Sequence, residues 1–151
     1  KTGAAKGDIR VRFEAGNPVA YVGEIASRLS GCIMSAYTYP YATGVNLMKN
    51  IIEISVNNKI YDLTPKWNMF SCEMGICPDR TGVLKRVHNM KTALEIPGVK
   101  MILQTVEPGR NVQIPINNVQ KIGHVFSQAN TAEIAVESCK KALDMMKLEI
   151  V

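Results

Sequence analysis

The sequence predicts an α+β fold: an antiparallel β-hairpin with packed helices, then a small β-rich part closed by a helix. Three patterns carry that prediction. Residues 8–13 alternate apolar and polar side chains, and residues 45–56 repeat apolar side chains at helical spacing. Residues 69–127 break into short β segments punctuated by Gly and Pro, ahead of an amphipathic helix. The chain has 151 residues, 46% of them hydrophobic, enough for one domain or two small ones. The polar, Pro-containing run 57–66 marks the boundary, giving expected domains 1–60 and 61–151.

Taken in order, Ile9, Val11 and Phe13 point to one side of the first strand and Asp8, Arg10 and Arg12 to the other. One face of that strand is therefore expected to be buried. Glu14-Ala15-Gly16-Asn17-Pro18 is a turn, and the apolar run 19–22 leads back toward Glu24. The hairpin brings Glu24 beside Asp8, with Arg28 just beyond. Residues 30–44 hold Tyr37, Tyr39, Pro40 and Tyr41 and read as an irregular aromatic loop. Val45, Met48 and Ile52 share one face of a helix over 45–56, with Thr43 as its N-cap. Short β segments follow at 69–76, 82–87, 99–106, 111–114 and 121–127. Asn130 or Thr131 caps the closing helix, Glu133 lies in its first turn, and Ala135, Cys139, Ala142 and Met146 form its apolar stripe. A strand over 148–151 ends the chain.

Composition removes several classes of function. The net charge is +5, but Lys and Arg are scattered and aromatics are 6%, so nucleic acid is not an expected partner. A small anionic substrate such as a nucleotide explains the charge equally well. No apolar run approaches the ~20 residues of a membrane helix, and no membrane is expected. The N-terminus has no apolar stretch of the secretory kind, and a chain beginning at Lys1 is expected to continue upstream. The four cysteines, Cys32, Cys72, Cys77 and Cys139, read as free thiols in a reducing cytoplasm. With only His88 and His124 as partners they do not make a zinc pattern. His124 lies within an apolar strand and reads as structural, and His88 as exposed. No P-loop, dinucleotide fingerprint or nucleophile elbow is present.

The chemistry concentrates at the hairpin. Magnesium is commonly held by one or two carboxylates, with phosphate oxygens and water completing the shell. Phosphoryl transfer also needs fixed cations against the charge of the transferring group. Asp8, Glu24 and Arg28 supply both. The wording Gly3-Ala4-Ala5-Lys6-Gly7-Asp8, followed by Val22-Gly23-Glu24-Ile25-Ala26-Ser27-Arg28-Leu29-Ser30-Gly31, resembles the end of the ATP-binding domain of the ATP-grasp superfamily. There a strand carries one acidic metal ligand and a later Glu-x-Asn-x-Arg carries the rest. Ala26 stands where many members have Asn, although some read Glu-x-Ala-x-Arg, so Ala26 is left out of the site. Thr43-Gly44-Val45 resembles the family's Thr-Gly-Val segment, which opens a helix near the substrate end of the cleft. Gly82-Val83-Leu84, Ile96-Pro97-Gly98-Val99, Glu107-Pro108-Gly109, Lys121-Ile122-Gly123-His124-Val125 and Thr131-Ala132-Glu133 are similar, in order, to the small C-terminal domain of the superfamily's carboxylate–amine ligases.

The resemblance implies an ATP-grasp C-terminal part whose Asp8 and Glu24 hold Mg2+ (or Mn2+) on ATP. It implies that Arg28 contacts the phosphate or acyl phosphate and that Lys6 helps neutralise it. The implied enzyme activates a carboxylate as an acyl phosphate and couples it to an amine, as phosphoribosylamine–glycine ligases and amino-acid ligases do. The 151-residue chain by itself is expected to be inactive. ATP, a small carboxylate and an amine are the implied partners, and a homodimer is compatible. The alternatives are a biotin carboxylase or carbamoyl-phosphate synthase relative, a degenerate regulatory remnant, or a non-catalytic basic binding module.

Overall fold

The computed structural model describes residues 3–31, 33–57 and 59–151. Cys32, read above as a free thiol, lies outside the described residues. The hairpin is made of β1 (Lys6–Glu14) and β2 (Asn17–Ala26), paired antiparallel with a bulge between Asp8 and Ile9. Ala15 and Gly16 both adopt left-handed φ, 50° and 82°, which is the two-residue turn that matches strand twist.

One expectation for the hairpin is corrected. Its apolar face is not buried: Ile9 is 58% exposed, Phe13 75% and Ile25 70%. The alternation assigns those side chains to one face correctly, but β1 and β2 form a sheet of their own that no other described strand extends.

A second correction concerns residues 30–44. Rather than an irregular loop throughout, this stretch contains a helix, α1 (Thr38–Thr43), which stops at Gly44 with φ 76°. Pro40 is tolerated because it sits in the first turn, where its missing N–H has no intrahelical acceptor. The next helix, α2 (Leu47–Asn57), is capped by Asn46, whose Oδ1 accepts from Lys49 N at 2.8 Å. Thr43 is therefore not the cap, and Thr43-Gly44-Val45 does not open α2. Glycine in the left-handed region ends α1 first, and Thr43 Oγ1 donates back to Tyr39 O at 2.9 Å.

The remainder follows the short-strand pattern: β3 (Phe70–Ile76), β4 (Gly82–His88), β5 (Val99–Gln104), β6 (Asn111–Val112), β7 (Gly123–Ala129) and β8 (Lys147–Ile150). Two helices join them, α3 (Met90–Leu94) and α4 (Ala132–Met145). The five residues of α3 were not anticipated. The strands form two antiparallel sheets, ordered β3-β7-β5 and β6-β4-β8. Thr131 caps α4 by accepting from Ile134 N at 3.3 Å, and Glu133 sits against its positive end. The expected stripe of Ala135, Cys139, Ala142 and Met146 is buried, and Cys139, Ala142 and Met146 join Ile76, Leu84, Ile122 and Val125 in the core.

The other face of β3-β7-β5 receives α1. Phe126, fully buried, lies 5.2 Å from the Tyr37 ring and 6.5 Å from that of Tyr41. Gln128 Nε2 donates to Tyr41 O at 2.5 Å, and Trp67 Nε1 donates to the same carbonyl at 2.8 Å. The stretch that leaves the hairpin is thus fastened to the sheet by aromatic packing and backbone-directed bonds.

Candidate functional site

The hairpin register sets the first part of the site. Asp8 is the direct partner of Glu24 across β1 and β2, so both carboxylates stand on one face. Lys6, two residues before Asp8, shares that face and lies opposite Ala26. Its ammonium is 2.5 Å from Asp8 Oδ2, with 19% of the Lys6 side chain exposed against 57% for Asp8. Gly23 occupies the bulge, where a Cβ would approach Asp8 O to 3.3 Å. The local distortion therefore lies beside the two carboxylates, as bulges near sites commonly do.

Arg28 follows the end of β2, with its backbone N donating to Ala26 O at 2.9 Å. Its guanidinium Nη1 donates to Leu29 O at 3.0 Å. The structure thus brings Asp8, Glu24 and Lys6 together and leaves Arg28 at the edge, without an ion pair among the described residues. As for metal fit, two opposed carboxylates suit magnesium when phosphate oxygens and water supply the other positions. Among the described residues no group of three or more His, Cys, Asp or Glu gathers as a metal site, so a protein-only cage is not what these residues build.

A cleft of about 650 Å³ opens beside this face. Lys6 and Gly7 lie at one side, Ser30 and Thr38 on the Arg28-to-α1 stretch, and Asn50 and Ile51 on α2. Asn50 is spent on structure, donating to Asn46 O at 3.1 Å and accepting from Tyr61 N at 2.9 Å. Ser35 Oγ accepts from Ser30 N at 3.0 Å, folding the stretch after Arg28 back on itself. Thr38 Oγ1 is different: it is buried with no hydrogen-bond partner among the described residues. A sealed hydroxyl without a partner costs about 1–3 kcal/mol unless something meets it. The sequence does not signal this cleft, because Pro40 and its neighbouring tyrosines read as loop where the chain forms α1.

His124 is part-buried and hydrogen-bonded within the sheet. Its Nδ1 pairs with Glu73 Oε1 at 2.6 Å, and Lys121 Nζ lies 3.7 Å from the same oxygen. His124 is thus a structural histidine held in a polar cluster. Nothing local in sequence signals it, since Glu73 and His124 are 51 residues apart. His88 is half exposed and pairs with Glu149 at 2.9 Å. The thiols of Cys72, Cys77 and Cys139 are free. Burial pushes the Cys139 thiol up to about 12, and that of Cys72 upward as well.

Known structures share this fold. The L-amino acid ligase of Bacillus licheniformis superposes with a TM-score of 0.73 at 17% identity, over 99% of this chain and 36% of that one. The phosphoribosylglycinamide synthetase of Anaerococcus prevotii gives 0.75 at 13% identity, over 95% of this chain and 36% of that one. The biotin carboxylase domain of Hydrogenobacter thermophilus 2-oxoglutarate carboxylase, a dimer in complex with MgADP, ADP and bicarbonate, gives 0.66 at 18% identity, over 96% and 32%. The chain spans about a third of the length of these structures. Comparison with curated protein sequences finds no match.

Antiparallel hairpin, paired helices and β-rich part closed by α4 together define the C-terminal part of the ATP-grasp ligase fold. Within that class, residues 75–151 match the family model for L-amino acid ligase C-terminal domain 2, and the chain belongs to that family.

Proposed function

We propose that this chain is the C-terminal portion of an ATP- and magnesium-dependent ligase that activates a small carboxylate as an acyl phosphate and joins it to an amine. The observation that carries the reading is the direct pairing of Asp8 with Glu24, with Lys6 on the same face. The family match of residues 75–151 supports an amino-acid ligase-like subtype over a biotin carboxylase or carbamoyl-phosphate synthase relative. Residues 1–60 are the end of the ATP-binding domain in this reading, and residues 61–151 the small C-terminal domain.

Asp8 and Glu24 would hold magnesium on the ATP phosphates, and manganese could replace it. When bound, the ion neutralises phosphate charge. Lys6 offers its ammonium to the same phosphates in exchange for Asp8. Arg28 binds the acyl-phosphate oxygens, exchanging its bond to Leu29 O for a charge-assisted one. The body of the carboxylate substrate occupies the cleft beside Lys6. Ser30 and α1 wall that cleft, whose lining is largely apolar.

In this reading the chain alone does not turn over. A cytoplasmic compartment suits its free thiols. No described helix is long and apolar enough to cross a membrane. A homodimer is part of the same reading.

The test uses the full-length gene product and carboxylate-dependent ADP release. Asp8→Asn and Glu24→Gln should each lower kcat by about a hundredfold or more, with the fold intact by circular dichroism. Wild-type-like turnover in either variant would sink the assignment. Steep, salt-dependent binding of random oligonucleotides with no ADP release would favour a basic binding module instead.

A further inference from the structure

The wall of the cleft beside Lys6 is selective in its composition. Leu47, Asn50, Ile51 and Ile54 line it at helical spacing, so one face of α2 is turned to the cleft. This is not the face that the sequence pattern assigned to the core: Met48 and Ile52 are 40% and 57% exposed, and neither lines the cleft. Leu29, Met34 and Leu63 add to the apolar wall. At about 650 Å³ the space is in the range of small-molecule sites.

The polar side chains on that wall are engaged or out of reach. Asn50 donates to Asn46 O and accepts from Tyr61 N, and Ser35 Oγ accepts from Ser30 N. Thr38 Oγ1 is sealed inside the protein, away from any ligand. Among the described residues, Lys6 is the only charged side chain that lines the cleft. One of its three donors is directed at Asp8, 2.5 Å away, and two are left. A wholly apolar protein segment seated here would strip water from that ammonium and give nothing back. A carboxylate on an apolar body meets both parts of the wall. Polar groups on the body would lose water without gaining a partner, about tenfold in affinity for each. Each methylene buried against the wall adds about fourfold.

Resting on the ligase reading, we propose that this cleft selects a carboxylate with an apolar body. The carboxylate lies at Lys6, and the aliphatic or aromatic chain lies against Ile51 and Ile54 of α2. These two isoleucines thereby set which carboxylate enters.

Binding is tested by NMR titration of the 151-residue chain with isocaproate, following the Ile51 and Ile54 methyl groups, with succinate as the polar arm. Isocaproate should give saturable shifts at both isoleucines, and Ile51→Asn should weaken its binding about tenfold or more. Ile52→Asn, on the exposed side of the same helix, should leave binding unchanged. Absence of saturable shifts at Ile51 and Ile54, or succinate binding equally tightly, overturns the proposal. If Ile51→Asn fails to fold, the wild-type titration decides by the same criteria. Selection is tested by ADP release from the full-length gene product with leucine against asparagine, which is similar in shape but polar. Leucine should be preferred about tenfold or more in kcat/KM, and Ile51→Asn should erase the preference through KM. Asparagine used equally well overturns the apolar selection and leaves the ligase reading standing. If no carboxylate drives ADP release, the ligase reading falls, and the titration still decides the cleft.

Discussion

Replacing Phe126 by Ala tests how the Arg28-bearing stretch is held. Phe126 is fully buried and meets the rings of Tyr37, Tyr41 and His124 at 5.2, 6.5 and 6.1 Å. Truncating a buried Phe to Ala removes its transfer energy and leaves a cavity, about 3–5 kcal/mol in total. Lost ring pairing adds about 0.5–1.5 kcal/mol where the tyrosines cannot close in. At about 2–4 °C per kcal/mol for a chain of this size, Tm should fall by roughly 10 °C or more, measured by circular dichroism. Leu84→Ala is the control, since Leu84 is equally buried but lies in the other sheet. Both variants should lose global stability. Only Phe126→Ala should also loosen α1, read as faster amide exchange at Tyr41 and Gly44, whose N–H groups donate to Tyr37 O and Pro40 O. A loss below about 1 kcal/mol, or equal exchange at α1 in the two variants, refutes the claim that Phe126 is the anchor.

Other outcomes follow from the same structure. Amides of the β1–β2 hairpin should exchange on the order of a thousandfold faster than those of β7, because a two-stranded sheet with an exposed apolar face is marginal by itself; comparable protection would contradict its isolation. Iodoacetamide with peptide mapping should label exposed Cys77 rapidly and leave buried Cys139 unlabelled until the chain unfolds. Cys139 is raised from 9.0 to about 12 in the fold, so its stabilising neutral form is fully present below pH 9 and lost as pH climbs toward 12. A melting temperature that rises over that window in wild type relative to Cys139→Ala would contradict the sign. Gly44→Ala should destabilise the α1–α2 junction by about 1 kcal/mol or more, since φ is 76° and a Cβ would meet Lys66 Cβ at 2.9 Å; an unchanged melting curve would show that the junction adapts.

What could be read from the sequence was what sits close together in it. The hairpin is specified by its alternation and its tight turn, but counting from that turn would set Asp8 opposite Gly23, and it is the bulge at Gly23 that brings Glu24 opposite Asp8. The closing helix announces itself by Thr131, Glu133 and a stripe at helical spacing. The misreadings have physical causes. Pro40 and three tyrosines look like a loop, but a proline in a first turn breaks no bond, and the tyrosines are where α1 packs. Thr43 has the chemistry of an N-cap, yet Gly44 ends one helix before Asn46 begins the next. Alternation in β1 tells which side chains share a face, not whether anything covers it. Glu73, Lys121 and His124 meet through sheet register, which local pattern does not encode.

Strand β7 shows how the two halves of the chain depend on each other. Its odd positions face α4: Val125 packs in the core, and Ser127 Oγ donates to Ala135 O at 2.6 Å while accepting from Cys139 Sγ at 3.3 Å. Its even positions face the other way, where Phe126 and Gln128 grip Tyr37 and Tyr41, and His124 pairs with Glu73. A period of two residues thus makes one strand both the centre of a hydrophobic core and the seat for α1. Ser30 is tied to Ser35, and Tyr37 follows two residues later, so the seat constrains the stretch that begins at Arg28. A one-residue slip of β7 would send Phe126 into α4 and Val125 toward α1, breaking the core and releasing that stretch together. Stability of the β-rich part and the seating of α1 are therefore coupled in this sequence, and substitutions at Phe126 should degrade both.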